Sequence, residues 1–184
     1  MRMEIIDLSA SNLAIEQTAY LLFESFGTPE AWPNMAAALE EVRESLTDGR
    51  ISRVAVNEDG NVIGWISGIS QYGGNVWELH PLAVSALHRS QGIGRALVTD
   101  FERVVRDRGG ITVTLGTDDE AGRTTLAGID LYPDVFQHIK AIRNLGRHPY
   151  EFYQKLGYVI VGVIPDANGQ GKPDILMAKK VSLK

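Results

Sequence analysis

Cysteine is absent from this chain. That excludes disulfides, thiolate-held metal centres and any mechanism passing an acyl group through a protein thiolate. Histidine is scarce, and the four present (His80, His88, His138 and His148) lack the paired spacing of a zinc site, so no metal is expected. No apolar run approaches the ~18 residues of a membrane span. Met1 to Asp7 holds no basic stretch followed by an apolar one, so no secretory leader is expected and the cytoplasm is the expected setting. Basic residues are outnumbered, 18 Lys and Arg against 23 Asp and Glu, for a formal net charge of −5. This balance disfavours nucleic acid as a partner and suits a small cationic one.

What is present is the composition of a water-soluble globular chain, 44% apolar and 22% charged over 184 residues. That length is enough for one domain, residues 1–184, with a sizeable core. Met3 to Leu8 reads as a strand and Asn12 to Phe26 as a helix, broken at Gly27-Thr28-Pro29. A second helix is expected from Pro33, in a first-turn position, to about Thr47, with Met35, Ala38, Leu39, Val42 and Leu46 at helical spacing. Ile51 to Val56 and Val62 to Ile69 read as a hairpin around Glu58-Asp59-Gly60-Asn61, followed by a strand from Val76 to Val84. Ile93, Leu97, Phe101 and Val105 mark a helix closing at Gly109-Gly110, and Ile111 to Leu115 a strand. Asp130 to Asn144 is expected to be helical with an early break at Pro133, and Pro149 to Leu156 forms a short helix stopped by Gly157. Two closing strands, Tyr158 to Ile164 and Pro173 to Val181, complete a mixed α/β architecture, one layer of sheet covered by helices.

Arg89-Ser90-Gln91-Gly92-Ile93-Gly94 joins a strand to a helix. Such a loop can close an ordinary turn. It can also aim successive backbone N–H groups and the positive end of a helix dipole at phosphate oxygens, with Arg89 as a charged donor at the rim. The second reading points to a nucleotide-type cofactor held by its pyrophosphate.

The element order, together with Arg89-x-x-Gly92-x-Gly94 and Phe152-Tyr153-Gln154-Lys155-Leu156-Gly157-Tyr158, resembles the GNAT acetyltransferase fold. Three stretches are similar to the aminoglycoside 6′-N-acetyltransferases of the enterococcal chromosomal type. They are Gln71-Tyr72-Gly73 with Trp77-Glu78-Leu79-His80-Pro81-Leu82, then Gly109-Gly110-Ile111 with Leu115-Gly116-Thr117-Asp118-Asp119, then His148-Pro149-Tyr150-Glu151-Phe152-Tyr153. Ala167-Asn168-Gly169 and Lys172-Pro173-Asp174-Ile175 continue the pattern. The Asn and Ala often found upstream of the helix tyrosine in GNAT chains are missing here, where Pro149 stands.

The resemblance implies transfer of acetyl from acetyl-CoA to the 6′-amine of an aminoglycoside, in a homodimer and without a metal. The alternatives are a polyamine, peptide or protein amine as acceptor, or a non-catalytic acyl-CoA-binding module. Strand alternation places Glu78, His80, Leu82 and Val84 on one face, and Trp77, Leu79 and Ala83 on the other. An amine must lose a proton before it attacks, so Glu78 is the expected base and cation anchor, against the alternative of an edge carboxylate paired with a lysine. His80 stands between catalytic support and a packing role.

By family position the main chain of Leu82 and Val84 receives the pantetheine arm, and the Leu82 N–H polarises the thioester carbonyl. Pro81, lacking an N–H, fits an interrupted ladder there. Gln91, Gly92, Ile93, Gly94 and Arg95, with Arg89, would cradle the pyrophosphate, a Cβ at either glycine spoiling close approach or a positive φ. Tyr153 would protonate the departing thiolate or hydrogen-bond its sulfur, if it is not simply part of an apolar cluster with Phe152, Leu156 and Tyr158. Asp118 and Asp119, with Glu151 and Asp174 as lesser candidates, would face the acceptor's ammonium groups, unless the acidic run is a solvated loop. Trp32 would line the acceptor cleft or serve as a core residue.

Overall fold

The computed structural model describes residues 3–28 and 31–182. The chain divides into two compact units, residues 1–111 with 181–184, and residues 112–180. The expected break at Pro29 lies outside the described residues.

The first unit is built on four antiparallel strands in sequence order: β1 (Met3–Asp7), β2 (Arg50–Asn57), β3 (Val62–Gln71) and β4 (Val76–Val84). Between β1 and β2 lie α1 (Asn12–Phe26) and α2 (Met35–Glu44), and β4 is followed by α3 (Ile93–Asp107). Ser11 caps α1 by accepting from the Ala14 N–H at 3.3 Å. Asn34 caps α2 through the Ala37 N–H at 3.0 Å, so Pro33 precedes the cap and is not a first-turn residue. This helix ends at Glu44, short of Thr47. The Ser45 and Thr47 hydroxyls bond back to the carbonyls of Val42 and Glu44, the local competition that makes such residues poor helix interiors.

The two faces of this sheet have different covers. Trp65 of β3 and Ala83 of β4 join Leu22, Ala19, Ala38 and Val42 in one core cluster under α1 and α2. Gly64 and Gly68 of β3 face α3: a Cβ on them would meet Leu97 and Ile93 in one case and Phe101 in the other. The α3 stripe of Ile93, Leu97, Phe101 and Val105 is fully buried, as its spacing predicts.

The second unit holds three antiparallel strands in the order β5 (Thr112–Asp118), β7 (Asp174–Lys180), β6 (Val159–Ile164), with α4 (Val135–Lys140) and α5 (Tyr150–Gln154). The helix expected over 130–144 shrinks to α4. Asp130 accepts the Tyr132 N–H in a local turn ahead of Pro133. Beyond α4 the Arg143 N–H is taken by the Thr125 hydroxyl, and Asn144 bridges Thr124 in extended geometry. Among the described residues no helix is long and apolar enough to cross a membrane.

Candidate functional site

The register of β3 against β4 corrects the sequence reading at its central point. Ile66 stands opposite Leu82, yet Gly68 stands opposite Leu79, so β4 carries one extra residue at His80-Pro81. A bulge of this kind reverses the side-chain alternation beyond it. Directly paired residues share a face. Leu79, opposite Gly68, therefore faces α3, and so do Leu82 and Val84, opposite Ile66 and Gly64. Glu78 pairs with Ile69 and points to the α1–α2 face. Leu82 and Val84 thus do not project with Glu78, and alternating burial through 76–84 conceals the switch because both faces are covered.

On the α1–α2 face Glu78 is half-buried and accepts a hydrogen bond on Oε2 from Gln71 Nε2 at 2.5 Å. Among the described residues no lysine or arginine pairs with it, which removes the bland alternative of a paired edge carboxylate. Gln71 is a positioning partner the sequence reading missed. Its signal was the hairpin register, which sets residue 71 diagonal to residue 78 on one face. His80 is exposed, its ring 5.8 Å from that of Trp32. Trp32 is itself 6.1 Å from Phe26 and packs on the core cluster, which accords with the core role held open for it. The Ser67 hydroxyl, opposite the bulge, is buried and has no hydrogen-bond partner among the described residues.

Beyond β4 the chain turns through Ser85 to Gly92 into α3. Gly92 is the N-cap of α3 with φ +86°, and no side chain caps this helix. A Cβ at Gly92 would meet nothing within 4 Å. The result is an open cradle under uncapped first-turn amides, the arrangement that receives a phosphate group. Gly94 differs from expectation: it lies inside α3 with helical backbone, so only close approach, not a positive φ, calls for glycine there. Ile93 is buried and Arg95 exposed. Arg89 Nε donates to the Val84 carbonyl at 3.2 Å and Gln91 Nε2 to the Leu87 carbonyl at 3.3 Å, so both side chains brace the loop. Gly92→Val is expected to strain the left-handed cap by about 1–2 kcal/mol and to weaken acetyl-CoA binding at least tenfold, read by isothermal titration calorimetry.

In the second unit Tyr153 is buried on α5, its ring 5.0 Å from Phe152 and 5.7 Å from Tyr158. Burial pushes its phenol above the usual tyrosine value, so the group is a neutral O–H donor at physiological pH. The acidic run separates into different roles. Asp119 is 1% exposed and accepts the N–H groups of Arg123 and Thr124 at 2.6 and 2.8 Å. It is a loop anchor, which corrects its assignment to the acceptor surface. Asp118 is exposed at the end of β5, held by Asn168 and paired across strands with Asp174. The Asp174 carboxylate lies over Gly116, where any Cβ would come within 2.5 Å of it. Glu151 is exposed in the first turn of α5. Among the described residues no group of three or more His, Asp or Glu side chains is gathered as a metal site.

Residues 15–127 match the model of the acetyltransferase (GNAT) family. Among solved structures, the chain is 43% identical to an aminoglycoside 6′-N-acetyltransferase complexed with coenzyme A, with 98% of each chain covered and a TM-score of 0.92. It is 44% identical to the aminoglycoside 6′-N-acetyltransferase from Enterococcus faecium, again over 98% of each chain, with a TM-score of 0.90. An aminoglycoside 6′-acetyltransferase of type Ii is 39% identical over 100% of this chain and 99% of its own, with a TM-score of 0.75. Among curated protein sequences none matches the chain.

Proposed function

Since the chain belongs to the GNAT acetyltransferase family, we propose that it transfers acetyl from acetyl-CoA to the 6′-amino group of aminoglycosides. The observation that carries this reading is the Gln71-held carboxylate of Glu78, without a cationic partner among the described residues, on a sheet that leads into an open phosphate cradle. The family model runs from residue 15 to residue 127, through the end of the first unit and into the second, which supports reading residues 1–184 as one GNAT domain.

Acetyl-CoA supplies an acetyl group already activated as a thioester. The α3 amides behind Gly92 hold its pyrophosphate, and the Leu82 N–H steadies negative charge on the carbonyl oxygen. Glu78 attracts the acceptor's ammonium group and takes its proton, directly or through water. Gln71 occupies Oε2 and leaves Oε1 for that task. His80 and Trp32 shape the acceptor side. Exposed Asp118 and Glu151, with Asp174, hold the acceptor's remaining ammonium groups. Tyr153 meets the departing sulfur. Acetylation removes one positive charge from a polycation, so antibiotic resistance is the proposed consequence, in the cytoplasm. Locating the acetyl group by NMR on kanamycin treated with enzyme and acetyl-CoA tests the regiochemistry. The proposal expects it on the 6′ nitrogen, and acetylation at another amine would refute it.

The assembly proposed is a homodimer formed across β6. Val159, Val161 and Ile164 are exposed on this strand, which pairs only with β7 among the described residues, and Phe136 of the neighbouring α4 is 77% exposed. An apolar edge without lysine or proline invites pairing, and two copies about a two-fold axis satisfy both edges at once. Val161→Lys is expected to yield a monomer in sedimentation equilibrium. A dimer unchanged by that substitution would place the interface elsewhere.

A further inference from the structure

We propose that His148 is a positioning residue: its neutral imidazole ties the first turn of α5, and with it Tyr153, to the end of β5, and its protonation releases that tie. The catalytic part of this proposal rests on the reading of Tyr153 given above.

His148 is 2% exposed, and each of its polar groups is engaged. Its N–H donates to Asn144 Oδ1 at 2.8 Å, and its carbonyl accepts from Asn144 Nδ2 at 3.0 Å. Nε2 lies 3.1 Å from the carbonyl oxygen of Asp118, the last residue of β5. The Tyr150 N–H reaches Nδ1 at 3.3 Å. A carbonyl can only accept and a backbone amide can only donate, so Nε2 carries the proton and Nδ1 is bare. The partners thereby fix one neutral tautomer.

This geometry has a consequence for α5. The helix has five residues, and its N-cap, Pro149, offers no side-chain cap. So short a helix depends on outside contacts for its order. The His148 imidazole provides one by satisfying a first-turn amide, and Tyr153 lies three residues further on.

The charged groups facing the ring are Asp118 and Asp119 at the end of β5 and Arg123 in the following loop. The Tyr150 ring packs against it at 5.7 Å. Burial lowers the imidazole below the usual histidine value. The Asp118 carbonyl and the carboxylates of Asp119 and Asp118 pull the other way, while Arg123 adds to the lowering. Since the fold favours the neutral form, the unfolded chain binds more protons between the lowered native value and about 6.5. The stabilisation is therefore complete above about pH 6.5 and is lost as pH falls through the native value. Protonation would set an Nδ1–H against the Tyr150 N–H, donor against donor.

Glutamine at this position can accept from the Tyr150 amide and donate to the Asp118 carbonyl without titrating. Wild type, His148→Gln and His148→Ala are compared by steady-state kinetics and by amide hydrogen exchange at residues 150–154, from about pH 5 to pH 8. At pH 8 His148→Gln is expected within about threefold of wild type. His148→Ala should lose at least about tenfold in kcat with little change in either KM. As pH falls through the lowered native value of His148, wild type should lose both kcat and α5 protection, and His148→Gln should lose neither to the same extent. Wild-type kcat in His148→Ala, or identical acid losses in wild type and His148→Gln, overturns the proposal. Tyr153→Phe run in parallel separates the two readings. If that variant keeps wild-type kcat, it is the Tyr153 role that fails, and exchange at α5 then decides the His148 tie by itself.

Discussion

Glu78→Gln is expected to lower kcat by about two to four orders of magnitude, the range for removing a positioned general base. The substitution keeps shape and volume, and an amide oxygen can still accept from Gln71. What disappears is the negative charge and the proton-accepting capacity. Because Glu78 forms no salt bridge among the described residues, no cation is stranded by the change and the melting temperature should move little. Loss of the charge also weakens the hold on the acceptor's ammonium group, so its KM should rise while that for acetyl-CoA does not. Steady-state kinetics with each substrate varied in turn, alongside thermal melts, reads all of these. A Glu78→Gln enzyme with wild-type kcat would remove this residue from the mechanism.

Tyr153→Phe is expected to cost about 10- to 150-fold in kcat, the equivalent of one hydrogen bond of about 1.5–3 kcal/mol to a charged group. The sequence left three roles for Tyr153: full proton transfer to the thiolate, a hydrogen bond to its sulfur, or packing in the apolar cluster with Phe152, Leu156 and Tyr158. Between the first two, burial favours the hydrogen bond. A phenol pushed above about 10 surrenders its proton only uphill to an alkyl thiolate whose conjugate acid lies near 8.5. A hydrogen bond donated to the sulfur as charge develops is therefore the role proposed for it. Two consequences can be checked. The phenylalanine variant should keep its fold, because the ring contacts with Phe152 and Tyr158 survive. Wild-type kcat should show no alkaline fall attributable to Tyr153 below about pH 10, so a loss near pH 9 that vanished in Tyr153→Phe would contradict the assignment.

Regular elements were legible wherever one periodicity ran unopposed. The α1 bounds and those of β4 follow from sequence, and so does the buried stripe of α3 from Ile93 to Val105. Legibility failed where side chains competed for backbone groups. Ser45 and Thr47 shorten α2, and Asp130, Thr125 and Asn144 turn a helical-looking segment into α4 with extended flanks. The costliest misreading was at Pro81. The absence of its N–H rightly marked an interrupted ladder, but an interruption by one extra residue also reverses the faces that follow. Residues 76–84 alternate in burial on either side of that point, so no pattern of hydrophobicity could have shown the reversal. Asp119 failed for a related reason. A charge run reads the same whether a carboxylate faces water or collects two backbone amides, and only the 119–124 turn distinguishes them. Gln71 and His148 stood inside the motifs that carry the resemblance; the hairpin register could have pointed to Gln71, whereas the hydrogen bonds of His148 are not encoded in spacing.

The most direct test of the central claim is release of CoA thiol from acetyl-CoA with kanamycin, compared with an aminoglycoside bearing a 6′-hydroxyl and with spermidine. A chain without cysteine contributes no background to a thiol reagent. Turnover with the 6′-amine alone is the predicted result. Turnover with spermidine but not with kanamycin would contradict it and return the enzyme to the wider class of amine acetyltransferases.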